Sequence, residues 1–72
     1  MPKRMKLVEI RRMRGYSQEY MAKGLNCHRS TYAKMEEHPE MITMADADIL
    51  ANMLEVSIND IIFLNHTLQI VE

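Results

Sequence analysis

YSQEYMAKGLNCHRSTYAKME, residues 16–36, is the stretch that decides the fold. Ser17 suits a helix N-cap, because its hydroxyl can accept from an unpaired N–H of the first turn, and Gln18 and Glu19 follow inside that turn. Met21, Ala22 and Leu25 then recur at helical spacing and give one apolar face. Asn26 comes next, one of the few residues besides glycine that tolerates the left-handed backbone a tight interhelical turn needs. A second helix should begin within residues 28–30, with Tyr32 and Met35 facing inward and Arg29, Ser30, Ala33 and Lys34 facing out. Two short helices joined by so tight a turn form the helix-turn-helix unit, whose second helix can lie in a DNA major groove.

Working outward, the flanking sequence predicts an all-α domain of five helices. Helix 1 is expected over residues 3–14, ended by Gly15 as a C-terminal cap. Helix 2 covers 18–24 and helix 3 covers 29–37. Pro39 breaks the chain, leaving 38–42 as a loop. Thr43 caps helix 4 over 44–54, whose stripe of Met44, Ala47, Leu50, Ala51 and Leu54 should point to the core. Ser57 caps helix 5 over 58–64. The domain is thus expected to occupy residues 1–64. A C-terminal tail covers 65–72, in which Leu68, Gln69, Ile70 and Val71 could be a strand or a last helical turn.

Composition agrees with one small domain. A 72-residue chain can bury a single modest core and usually needs tidy helix packing, a staple or oligomerisation. Its single cysteine excludes an internal disulfide framework and fits a reducing cytoplasm. No apolar run approaches the length of a membrane span. The basic start Lys3-Arg4-Met5-Lys6 is followed by a stretch that Glu9, Arg11 and Arg12 interrupt, which reads against a signal peptide.

Charge is distributed very unevenly. Residues 1–34 carry all nine Lys and Arg against only Glu9 and Glu19, which leaves +7. Residues 35–72 carry eight acids and no Lys or Arg, which leaves −8, and the two halves sum to the net −1. The basic half contains the helix-turn-helix, as contact with phosphates would require. The acidic half should face away from DNA, or else face something basic.

The chain resembles the phage Cro/repressor family of helix-turn-helix domains. Ser17-Gln18-Glu19, Met21-Ala22, Leu25, Arg29-Ser30-Thr31 and Met35-Glu36 fit that family's pattern in register. Residues 43–54, then Glu55-Val56-Ser57, then 58–62 are similar to its fourth helix, turn and fifth helix, so the likeness spans about residues 5–63. Three positions depart from the pattern: Asn26 stands for the usual turn glycine, Cys27 for valine and His28 for serine. The last removes a good cap from the recognition helix. The resemblance implies a compact lambda-repressor-like fold, a double-stranded DNA operator as partner, and a dimer on a two-fold site. It also implies that Gln18 reaches the phosphate backbone and that Arg11 and Glu36 form a buried bridge.

The candidate DNA-binding residues are Ser17, Gln18, Lys23, His28, Arg29, Ser30, Thr31, Ala33 and Lys34. Arg29 suits guanine, whose O6 and N7 accept a bidentate guanidinium, and Lys34 could reach a base or a phosphate. The plain alternative is that both are solvated charges and that Gln18 is an ordinary first-turn residue. Cys27 occupies the apolar position of the turn and behaves as a small hydrophobe. The three histidines lack the paired spacing of a zinc site, and no metal or other cofactor is implied. Ile49 and Met53 are an i, i+4 apolar pair just outside the helix 4 stripe. With Phe63, Leu64, Leu68 and Ile70 they exceed what a core of this size needs and are the candidate interface.

No glycine-rich phosphate loop, nucleophile elbow or paired catalytic carboxylates appear, so the sequence reads as a non-enzyme. Two functions of different class stay open. One is a sequence-specific transcriptional regulator that places helix 3 in the major groove. The other is an antirepressor that keeps the fold but binds a cognate repressor protein and occludes its DNA-binding face, presenting carboxylates where phosphates would sit.

Overall fold

Three helix ends close on a left-handed residue, and these stops set the layout. A computed structural model describes residues 5–62. It contains α1 (Leu7–Arg14), α2 (Gln18–Leu25), α3 (Arg29–Glu37) and α4 (Met44–Leu54). Gly15 (φ 79°), Asn26 (φ 61°) and Glu55 (φ 60°) terminate α1, α2 and α4. At each, paired backbone bonds cover the last carbonyls: Cys27 N–H donates to Ala22 C=O and Asn26 N–H to Lys23 C=O, both at 3.0 Å. The starts are as regular. Ser17 accepts from Tyr20 N–H at 3.0 Å and Thr43 from Asp46 N–H at 3.1 Å.

The fold is mostly helical, but the described residues hold four α-helices rather than five. Residues 58–60 form a single 3-10 turn, capped by Ser57, which accepts from Asn59 N–H at 3.2 Å. Ile61 and Ile62 then extend as β2 and pair in parallel with β1, Met5–Lys6, with Met5 opposite Ile61 and Lys6 opposite Ile62. The β-branched isoleucines favour extended backbone, and pairing satisfies peptide groups that a short helix would have left open. For the same reason α1 starts at Leu7, not at residue 3. Glu9 accepts from the Lys6 N–H at 2.9 Å and fixes that start. Helix 2 runs one residue past its expected end, to Leu25, and the 38–42 loop contains a 3-10 turn over Pro39–Met41.

Leu7, Ile10, Met21, Ala22, Tyr32, Leu50, Ala51, Leu54 and Ile61 form the core. Met21, Tyr32, Leu50 and Leu54 are fully inaccessible. α2 packs on both α3 and α4, and α1 closes the assembly against α4 and β2. Met44, expected on the core stripe, is 72% exposed. It is the first residue of α4, so its side chain leans back beyond the helix start instead of over the core. Met53 is half-buried and packs over Gly24, where a Cβ would collide with its sulfur. Its partner Ile49 is 39% exposed. The other four candidate interface residues, Phe63, Leu64, Leu68 and Ile70, lie outside the described residues, as does the 65–72 tail.

Candidate nucleic-acid interface

The turn at Asn26 presents α3 on the surface, with Arg29, Ser30, Thr31 and Lys34 exposed along it. Ala33, expected to face out, is half-buried. Ser17 and Lys23 on the α2 side are exposed and Gln18 is half-buried. His28 stands at the N-cap of α3 in extended conformation, but its side chain makes no capping bond. The first N–H groups of α3 therefore stay open toward solvent beside Arg29. Lys23, Asn26, Cys27 and His28 line a shallow recess of about 290 Å³ between the end of α2 and the start of α3.

Beneath this face lies an ion pair. Arg11 donates through Nε and Nη2 to Glu36, the latter at 3.4 Å, and through Nη1 to Tyr16 C=O at 2.8 Å. The two side chains are 10% and 7% exposed. Burial pushes the Glu36 carboxyl upward, but hydrogen bonds from Arg11 and Gln18 outweigh it and hold the group below the usual glutamate range. The bond to Glu36 likewise raises Arg11. Tyr32 puts its buried hydroxyl next to this pair without completing a hydrogen bond. Burial, with the nearby Glu36 carboxylate, drives its pKa far above the normal tyrosine range.

The pair continues to the surface. Gln18 Nε2 donates to Glu36 Oε1 at 2.9 Å, and Arg29 Nη1 donates to Gln18 Oε1 at 3.0 Å. The structure thus joins Arg11, Glu36, Gln18 and Arg29 in one chain of hydrogen bonds; the resemblance implied only the first link, and the sequence did not reveal the other two, whose members stand 18 and 11 positions apart. Arg14 was missed too. It donates to Leu54 C=O at 2.8 Å and Glu55 C=O at 3.3 Å, capping the C-terminus of α4. No local pattern could have signalled a contact 40 residues away. Among the described residues no group of His, Cys, Asp or Glu could hold a metal ion. None of their helices is long and apolar enough to cross a membrane.

Two short helices joined by a left-handed turn, with α3 exposed in a basic N-terminal half, define a helix-turn-helix module. A helix-turn-helix family model matches residues 7–61, and the chain belongs to that family, of the Cro/repressor-like XRE type, whose members are DNA-binding regulators. No curated protein and no solved structure matches it.

Proposed function

We propose that the protein is a sequence-specific transcriptional regulator of Cro/repressor type that acts in the cytoplasm and lays α3 in the major groove of an operator. The observation that carries this reading is the row of exposed Arg29, Ser30, Thr31 and Lys34 on a helix held out by the Asn26 turn. Arg29 reads guanine and Lys34 takes a base or phosphate. Ser17, Lys23, His28 and the open N-terminus of α3 meet the backbone, with Thr31 and Ala33 shaping the groove-facing surface. Arg29→Ala should cost roughly 1–3 kcal/mol on the preferred site and relax preference at one position. Lys23→Ala should weaken all sequences alike and flatten the salt dependence. Titration of both variants against a selected duplex and a scrambled one tests the assignment. Equal losses with no change in preference would reject it.

Operator binding is proposed to be dimeric, through Ile49 and Met53 together with Phe63, Leu64, Leu68 and Ile70. Sedimentation of the full chain and of one ending at residue 64 should show self-association only in the first. Monomers in both cases would remove the dimer.

One observation favours the antirepressor as a second reading. From Met35 to Ile62 the chain carries no Lys or Arg, and Glu40, Asp48 and Glu55 are exposed. Such a surface suits a basic partner face. Titration against the cognate repressor, at the salt used for DNA, separates the two.

A further inference from the structure

We propose that Gln18 is a positioning residue for Arg29, and that it couples the buried Arg11–Glu36 pair to base reading. This rests on the reading of α3 as the recognition helix. A primary amide has a donating and an accepting end, and either could face either neighbour. Glu36 is ionised and can only accept, while a guanidinium can only donate. The amide is therefore held one way round, Nε2 toward Glu36 at 2.9 Å and Oε1 toward Arg29 at 3.0 Å. Turning it over would set acceptor against acceptor and donor against donor at once. Glu36 cannot swing to accommodate a flip, because Arg11 grips it in a site where its side chain is only 7% exposed.

The consequence falls on Arg29. Its side chain is exposed and would otherwise sample many rotamers. Gln18 takes one N–H of Nη1 and leaves the edge formed by Nε and Nη2 free. That edge carries two parallel donors, the fork that a guanine presents O6 and N7 to receive. Ordering the guanidinium before DNA arrives removes part of the entropy cost of the contact, so the benefit appears only on the sequence that Arg29 reads.

Two measurements test this. In the free protein, ¹⁵N relaxation of the Arg29 Nε–Hε group should show greater order than that of Arg12, which is also exposed. In Gln18→Leu, of similar bulk without hydrogen bonds, Arg29 should fall to the level of Arg12. Equal disorder of the two arginines in the unaltered chain would overturn the proposal, whatever the variant does. On DNA, Gln18→Leu should reduce the ratio of specific to scrambled binding roughly three- to tenfold, the worth of one hydrogen bond. It should cause no further loss of that ratio in an Arg29→Ala background. Additive losses, or a fall shared equally by both duplexes, would make Gln18 a backbone contact and overturn the coupling. If the unaltered chain shows no sequence preference at all, the DNA reading itself fails, and the relaxation comparison still decides whether Gln18 orders Arg29.

Discussion

Removing the Glu36 carboxylate should be the most damaging polar substitution in the domain. In Glu36→Ala, Arg11 keeps only its bond to the Tyr16 carbonyl and stays largely buried as an uncompensated cation. Gln18 loses its acceptor in the same step. Breaking a buried pair from one side costs about 3–5 kcal/mol, and a pair this near the surface belongs at the lower end. A chain of this length has a total stability of roughly 4–11 kcal/mol, so the variant should lose between about a quarter and three-quarters of it. With a urea slope of about 1 kcal/mol/M, its midpoint should drop by about 3 M. Glu37→Ala, at an exposed neighbouring position, supplies the control and should move the midpoint little. Acid titration gives an independent check. The folded-state pKa of Glu36 lies below its unfolded value, so its contribution is present above about pH 4.3 and is lost as pH falls through the lower, folded value. Glu36→Gln should flatten that acid limb. Circular dichroism during urea unfolding at pH 7 and at pH 3–4 covers both measurements. A Glu36→Ala midpoint close to that of Glu37→Ala would refute the reasoning, since the bridge would then be contributing no more than a solvated pair.

Tyr32→Phe should leave stability unchanged or raise it by about 1 kcal/mol, because it removes a buried hydroxyl that has no hydrogen-bond partner. The raised tyrosine pKa makes this residue's contribution complete below about pH 10 and progressively lost above it, so the variant should also resist alkaline unfolding better. A clear destabilisation in thermal melts would show that the hydroxyl is bonded to Glu36. At the helix ends, Gly15→Ala should cost about 1–2 kcal/mol from backbone strain alone, since a Cβ there meets nothing within 4 Å. Glu55→Gly, at a left-handed position occupied by an ordinary residue, should gain about 1 kcal/mol. Melting temperatures moving the other way at either site would refute the strain account.

What was legible in the sequence was local chemistry. Ser17, Thr43 and Ser57 announced helix starts because a hydroxyl before an apolar run has one useful partner, the open N–H groups behind it. Gly15 and Asn26 announced stops because few other residues enter the left-handed region without strain. Glu55 adopts the same conformation, although its side chain does not favour it. Only the resemblance pointed to a turn there. The two-residue strands were illegible for a different reason. Strand periodicity needs several residues, and pairing Met5 with Ile61 depends on everything folded between them. The site followed the same division. Which residues face outward on α3 could be read from spacing, apart from Ala33, whereas the link from Gln18 to Glu36 and Arg29 belongs to tertiary packing.

The structure also changes what the basic half of the chain can do. A count of nine Lys and Arg suggests binding driven by charge, yet two of them are engaged in holding the fold. Arg11 neutralises Glu36 in the interior, and Arg14 caps α4. On the proposed DNA face the described cations are Lys23, Arg29 and Lys34. Each phosphate neutralised adds only about 0.9 to the logarithmic salt slope, so these three described cations would contribute about 3 to it at most. The acidic residues from position 36 onward reduce the general attraction further. Charge alone would then leave little margin between an operator and any other duplex. Directed bonds to base edges, worth about 1–3 kcal/mol for each well-formed pair, have to supply the discrimination. On the reading proposed above, a domain with few cations on its DNA face gains most from aiming the ones it has, and the Glu36–Gln18–Arg29 chain of bonds is where it would do so.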